Sequence, residues 1–144
     1  MRRHFFFYGT LRPDVAQGLP ARLAEGLEPV AMATVRGRIF ARLDPQGAYP
    51  VLFRGGRGLV HGVVCRAEGG FSGRELAALN RYEGADGALG EYVRRPLRVT
   101  LADGRRTMAD AYLYNRPRSR ALVPIAHGDF ARWLVETGAH PYGG

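Results

Sequence analysis

The sequence has no lysine, a single cysteine and no long apolar run. The lone cysteine, Cys65, cannot form a disulfide within the chain and is typical of proteins that work in a reducing cytoplasm. None of the apolar runs approaches the roughly 20 residues of a membrane-spanning helix. Residues 1–7 are basic and then apolar, like the start of a secretory signal, but Tyr8-Gly9-Thr10 ends the run and no small-residue cleavage site follows. We therefore expect a cytoplasmic protein without a membrane segment.

All of the 21 basic residues are arginines, and they outnumber the 13 acidic residues to give a net charge of +8. The lack of lysine, together with 20 glycines and 9 prolines, indicates a codon bias of the genome rather than selection for an anionic partner. Such a charge attracts nucleic acid weakly at low salt. The arginines are scattered, however, and no aromatic-and-basic binding pattern or recognition helix is evident. A nucleic-acid-binding domain is therefore an alternative only, and we expect no specific nucleic acid partner.

Motifs for metals and organic cofactors are also lacking. The four histidines show no metal-ligand spacing, and Cys65 has no second thiol nearby. The glycine-rich run 55–58 lacks the helix that follows a phosphate-binding or dinucleotide-binding loop. We expect neither a metal nor a cofactor.

The overall composition, with 46% hydrophobic and 24% charged residues, is typical of an ordered globular protein. A chain of 144 residues suits one ordinary domain, so we expect residues 1–144 to form a single domain. Apolar patterns predict six strands, over residues 2–8, 30–42, 49–53, 59–67, 91–101 and 105–115. Turn-forming residues predict connections at 44–47, 55–58 and 102–104, and Gly37 marks a possible bulge.

Helical patterns are fewer than strand patterns. Ser72 and Glu75 form a capping box that begins a helix over 73–83, and Gly84 is the natural residue to end it. The other helical patterns cover about 129–137 and, broken by proline and glycine, 12–26. We therefore expect an α+β fold. Its sheet should be mixed, mostly antiparallel and curled towards a small barrel, with two or three helices packed on it.

The first candidate site is the turn after the first strand, which contains Tyr8, Gly9, Thr10 and Leu11. Glycine lets the backbone turn sharply and approach a ligand closely. Successive backbone N–H groups in such a turn can hold a carboxylate or a developing oxyanion, and Thr10 adds a hydroxyl. An ordinary strand-to-loop connection would explain the same residues.

The second candidate is Glu83, in the last predicted turn of the helix over 73–83. A carboxylate there faces the negative end of the helix dipole, which disfavours its ionised form. Partial burial acts in the same direction, so we expect a raised pKa, as a general base needs. A nearby arginine, Arg12 or Arg81, would oppose this shift. A solvated surface glutamate is the alternative interpretation.

Together these motifs resemble the gamma-glutamylcyclotransferase-like family. The resemblance rests first on Tyr8-Gly9-Thr10-Leu11-Arg12 in the first strand and Leu79-Asn80-Arg81-Tyr82-Glu83-Gly84 at the end of a helix. Further segments in the same order are Tyr49-Pro50, Val60-His61-Gly62-Val63-Val64, Tyr92-Val93-Arg94, Ala111-Tyr112-Leu113-Tyr114 and Gly128-Asp129-Phe130. The resemblance covers nearly the whole chain.

The resemblance implies a cofactor-independent enzyme of the acyltransferase or lyase type, acting on a small gamma-glutamyl compound. The free α-amine of the substrate attacks its own γ-carbonyl, which gives 5-oxoproline and a free amine. Glu83 is implied to take a proton from the α-ammonium and later to deliver one to the leaving amine. The turn from Tyr8 to Leu11 is implied to bind the glutamyl group, and Tyr114 to form a pocket wall or donate a hydroxyl.

Several alternatives stay open. Glu91, just before Tyr92, is a second candidate for the base. The fold could also hold a small carboxylate or amine without turnover. The leaving group could belong to an amino acid, an amine or a larger conjugate. A monomer and a homodimer both fit.

Overall fold

Six strands and three helices form the fold of residues 4–85 and 87–143, which are those that the structure, a computed structural model, describes. The strands are β1 (His4–Phe7), β2 (Leu27–Asp44), β3 (Gly47–Ala67), β4 (Tyr92–Leu101), β5 (Arg106–Tyr114) and β6 (Val123–Ile125). The helices are α1 (Leu19–Leu23), α2 (Gly73–Tyr82) and α3 (Phe130–Thr137). None of these three helices has the length and apolar character that a membrane crossing requires.

The sheet closes on itself. Its order is β3-β1-β5-β4-β2-β6, and β2 also pairs with β3, so five strands form a barrel while β6 extends the sheet beside β2. β1 and β5 are parallel, with Phe5 opposite Asp110, and the other pairings are antiparallel. This confirms the predicted α+β fold, with a mixed sheet curled into a small barrel and helices packed on it.

The long hairpin of β2 and β3 corrects one prediction. Arg36 lies opposite Leu59 but Gly37 lies opposite Arg54, so residues 55–58 fall outside the register between the two strands. The bulge predicted at Gly37 is confirmed, but the turn predicted at 55–58 does not separate two strands. β2 pairs with β3 both before and after residues 55–58. The glycines at 55 and 56 have positive φ values, which let this part of β3 leave the pairing and return to the same strand.

β1 is buried on both faces, which explains its uninterrupted apolar run. Phe6 belongs to one core cluster, together with Ile39 and Val60. Phe5 and Phe7 belong to a second cluster, which includes Leu79 of α2. β1 lies between β3 and β5 in the sheet. The residues that follow its carboxyl end, 8–11, are therefore buried, and they lie beside α2.

Local signals set the helix ends. Ser72 and Glu75 form the predicted capping box, which begins α2. α2 ends at Tyr82, so Glu83 is the residue just after the last turn, and Gly84 follows with a φ of 64°. This left-handed conformation suits glycine and lets the chain leave the helix sharply. The capping box and Gly84 together determine the position of Glu83 at the end of α2.

Candidate active site

A cavity of about 320 Å³ opens between the end of β1 and the end of α2. Its buried lining consists of Phe6, Phe7, Tyr8, Gly9, Thr10, Leu11, Pro50, Tyr92 and Tyr112. Its more exposed lining consists of Arg42, Asp44, Tyr49, Arg81, Tyr82, Glu83, Gly84, Glu91 and Tyr142. The buried group marks the closed end of the cavity, and the more exposed group extends from there to its mouth.

The turn predicted to bind substrate lines this cavity. The N–H of Arg12 donates to the carbonyl of Gly9 at 3.0 Å, which closes the turn. Within residues 4–85 and 87–143, the N–H groups of Thr10 and Leu11 make no backbone hydrogen bond. The Thr10 hydroxyl lies 3.2 Å from the Tyr82 hydroxyl, so the turn is tied to the end of α2. The turn therefore offers two N–H donors next to Glu83.

Gly9 is required by packing. A Cβ atom at this position would lie 2.5 Å from Cγ of Pro50, closer than real Cβ contacts come. Its backbone conformation is not the left-handed one, so the close approach of β3 is the reason for glycine here.

Arg12 is buried and ion-paired, which the sequence analysis did not predict. It is only 1% exposed, and its guanidinium donates to Asp14 at 2.7 and 2.9 Å and to Asp129 at 3.0 Å. Nη1 also contacts the carbonyl of His61 at 3.4 Å. Arg12 is not among the cavity residues, so it anchors the turn to the start of α3 and does not neutralise Glu83.

Glu83 is half-buried, and its carboxyl group faces the cavity. Burial, followed by the negative charge of Glu91, raises its pKa to about 8. The predicted direction is confirmed, and burial, one of the two expected causes, is the main one. The second cause is a neighbouring carboxylate, which favours the protonated form as any like charge does.

Neutral tyrosines surround Glu83. Tyr8 donates its hydroxyl to the carbonyl of Tyr112, and Tyr92 donates to the carbonyl of Pro50 at 2.7 Å. Tyr112 donates to Oδ1 of Asn80 at 2.7 Å, which ties β5 to the last turns of α2. Burial, followed by the charge of Glu83, raises the pKa of Tyr8 and of Tyr112 well above the ordinary value. The rings therefore stay uncharged and shield part of the carboxyl group from solvent.

Glu91 is in a different environment. Its Oε2 accepts hydrogen bonds from the Tyr49 hydroxyl at 2.6 Å and from Nη1 of Arg42 at 2.9 Å. Arg42 also donates to the Tyr114 hydroxyl at 2.9 Å. Burial, followed by Glu91, raises the pKa of Tyr49. Glu91 is thus paired at the mouth, whereas the described residues give Glu83 no cationic partner.

The structure brings most of the predicted site residues together. Tyr8, Gly9, Thr10, Leu11 and Glu83 line one cavity, with Glu91 at its mouth. Tyr114 is not among the lining residues.

Tyr114 lies behind the wall instead. Its ring packs edge-on against Tyr92 and Phe53, with ring centroids 5.6 and 5.8 Å apart. Arg42 and Tyr112 were not predicted to belong to the site. For Tyr112 a signal existed, since it lies two residues before Tyr114 and shares its face of β5.

The pKa of Glu83 predicts a pH-dependent effect on stability. An unfolded glutamate titrates near about 4.3. Between that pH and about 8, the folded protein keeps a proton that the unfolded chain has lost. Stability should therefore fall as pH rises through this range. Glu83→Gln removes the titration, so we expect the variant to be about 1–3 kcal/mol more stable than the wild type near pH 8, a value reduced for water in the cavity.

Urea unfolding at several pH values tests this expectation. The difference between variant and wild type should shrink as pH falls to the unfolded pKa of about 4.3 and below, where both states of the wild type hold the proton. A difference that is constant with pH would mean that Glu83 titrates normally in the folded protein.

Among residues 4–85 and 87–143, no three histidine, cysteine, aspartate or glutamate side chains are grouped so that they could hold a metal ion. The free thiol, Cys65, is buried in β3, and burial raises its pKa to about 12. A buried thiol of this kind in a strand packs as a small apolar side chain.

Solved structures share the fold. YkqA from Bacillus subtilis matches with a TM-score of 0.67 and 18% identity, over 96% of this chain and 43% of YkqA. The chain thus spans less than half the length of that protein. An AIG2-like protein from Mus musculus matches with a TM-score of 0.65 and 17% identity, over 89% and 87% of the two chains. A gamma-glutamyl cyclotransferase matches with a TM-score of 0.61 and 19% identity, over 85% and 70%.

No curated protein sequence matches the chain at a significant level. The family described as gamma-glutamyl cyclotransferase, AIG2-like, matches residues 5–132. This range begins at the second residue of β1 and contains β2 to β6, the turn after β1 and Glu83. The chain therefore belongs to the AIG2-like gamma-glutamyl cyclotransferase family.

Proposed function

We propose that this protein is a cytoplasmic enzyme that converts a gamma-glutamyl amine or peptide into 5-oxoproline and a free amine. The observation that carries the proposal is the position of Glu83. Its carboxyl group lies in a tyrosine-lined cavity next to the turn in which the N–H groups of Thr10 and Leu11 make no backbone hydrogen bond within the described residues, and its pKa is raised to about 8. Such a group is matched to proton transfer with an alkyl ammonium near neutral pH.

The reaction joins two ends of one molecule. The α-nitrogen of the glutamyl group forms a bond to its own γ-carbonyl carbon, and the bond from that carbon to the leaving nitrogen breaks. Holding the folded conformer supplies much of the acceleration, because attacking and attacked atoms already belong to one substrate. The N–H groups of Thr10 and Leu11 are placed to hold a carboxylate of the substrate or the oxyanion of the addition intermediate.

Glu83 moves the protons in this proposal. It accepts one proton from the α-ammonium, which frees the nitrogen lone pair for attack. It then delivers that proton to the leaving nitrogen as the C–N bond breaks. The second proton lost by the α-nitrogen on ring closure ends on the departing amine, which leaves as an ammonium. Atoms and charge balance without any other reactant.

Glu83 is favoured over Glu91 as the base. The Oε2 atom of Glu91 already accepts hydrogen bonds from Arg42 and Tyr49, so it is engaged with protein groups and less available to a substrate. Glu83 has no such cation among the described residues. An incoming substrate ammonium would supply the missing positive charge.

A panel of gamma-glutamyl amino acids, amines and peptides tests the proposal. We expect 5-oxoproline to be released from at least one member, in a stoichiometric ratio to the free amine. Release must depend on the wild-type protein and be lost with Glu83→Gln. Saturable binding of a gamma-glutamyl compound without any 5-oxoproline would instead identify a binding protein of the same fold.

A further inference from the structure

The segment 139–143 lies outside the part of the chain that matches the family, yet it reaches the cavity. The N–H of Ala48 donates to the carbonyl of His140 at 2.7 Å, and the N–H of Tyr142 donates to the carbonyl of Ala48 at 2.8 Å. The two hydrogen bonds dock the segment beside the first residues of β3. Its position is therefore fixed by backbone pairing and not by side chains alone.

Gly47 in β3 and Gly143 in the segment 139–143 allow this segment to pack closely against β3 and α2. A Cβ atom at Gly47 would lie 2.6 Å from the backbone of Pro141, and one at Gly143 would lie 2.7 Å from the Tyr82 hydroxyl. Both glycines also have positive φ values, 129° and 89°. The segment thus passes between the start of β3 and the end of α2, where the cavity opens.

Tyr142 is the residue by which this segment contributes to the cavity wall. Its ring packs edge-on against that of Tyr49, with centroids 5.5 Å apart and planes at 70°. The Tyr49 hydroxyl is already bonded to Glu91, and Glu91 is paired with Arg42. The mouth also contains Asp44 and Arg81, but beside Tyr142 and Tyr49 the charges of Arg42 and Glu91 are paired with each other. The two aromatic rings therefore present a surface suited to apolar contact.

We infer that Tyr142 is a specificity-determining residue that packs against the leaving amine and favours one with an aromatic or large apolar side chain. The inference rests on the proposed function. Ring closure at Glu83 places the glutamyl group at the closed end, so the leaving amine points to the mouth. A leaving group that extends this far meets Tyr142 and Tyr49, whereas a short one ends before them.

Two substrates that differ only in the benzyl side chain of the leaving amino acid test this inference, gamma-glutamyl-phenylalanine and gamma-glutamyl-glycine. The wild type should have the higher kcat/KM for the phenylalanine compound. Tyr142→Ala should reduce this preference by about five- to tenfold, the effect of losing an apolar contact in a specificity pocket. Tyr142→Phe keeps the ring and should keep the preference. His140→Ala, an exposed change on the same segment, should keep it too.

The outcomes separate the two proposals. An equal loss on both substrates, no change, or a gain on the phenylalanine compound overturns the role of Tyr142. If the wild type releases no 5-oxoproline from these two compounds, the ratio of their dissociation constants in the same variants decides the role of Tyr142. If no member of the panel releases 5-oxoproline, the proposed function fails. Absence of binding as well overturns both. If Tyr142→Ala unfolds at the assay temperature, Tyr142→Leu is used, with the same expected direction.

Discussion

Replacing Glu83 by glutamine should lower kcat/KM for a gamma-glutamyl substrate by about 100-fold or more, the usual contribution of a positioned acid/base group. Glutamine keeps the shape and the hydrogen-bonding capacity of the side chain but cannot exchange a proton. In the wild type, kcat/KM should rise with pH up to about 8, because only the ionised carboxylate of the free enzyme can accept the substrate proton. The rising limb should vanish in Glu83→Gln. Steady-state assays of 5-oxoproline release across pH measure both effects.

Glu91→Gln is the matched control. It removes the neighbouring negative charge that helps to raise the pKa of Glu83, so the rising limb should move to lower pH while turnover is largely kept. Circular dichroism confirms that both variants are folded. Near-normal turnover in Glu83→Gln together with loss of turnover in Glu91→Gln would assign the base to Glu91.

Much of this site could be predicted from the sequence because its central groups lie at element ends. The capping box at Ser72 and the left-handed Gly84 fix the length of α2 and hence the place of Glu83. The glycine after an apolar strand likewise marks the turn at Gly9. Local rules of helix capping and turn formation are sufficient at such positions.

The rest of the site depends on contacts distant along the chain, which local patterns do not contain. Arg12 is followed by an ordinary loop sequence, and its partner Asp129 lies 117 residues further on. Arg42 meets Glu91 and Tyr114 only because the barrel closes. Tyr142 reaches the cavity through backbone pairing with Ala48.

The difference between local patterns and contacts distant along the chain also explains the errors in the predicted fold. Residues 55–58 have the composition of a turn, and they do leave the pairing, but β2 continues past them as a single partner. β6 is only three residues long and contains a proline, so no periodic pattern could reveal it. Strand continuity and short edge strands are decided by the neighbouring strand.

Gly9→Val should abolish detectable binding of gamma-glutamyl compounds. Any Cβ atom there would lie 2.5 Å from Cγ of Pro50, so the turn must shift away from β3. The shift displaces Thr10 and Leu11 and, with them, the two N–H groups that we propose bind the substrate. We also expect destabilisation of about 1–3 kcal/mol, as for other overpacked sites. Isothermal titration calorimetry and urea unfolding measure the two effects, and Gly70→Val, where an added Cβ meets nothing within 4 Å, is the control.

A double variant separates the clash from the loss of the ligand site. Gly9→Ala alone should be destabilised by the same contact, and adding Pro50→Ala removes the Cγ and Cδ atoms that the new Cβ would meet. The carbonyl of residue 50, which accepts the Tyr92 hydroxyl, is kept. If packing is the whole reason for glycine, the double variant recovers both stability and binding. If the substrate also approaches the Gly9 backbone, stability returns but binding does not, because the methyl group still occupies the cavity wall. If Gly9→Val binds gamma-glutamyl compounds normally, the turn only connects β1 to the next segment and is not part of the binding site.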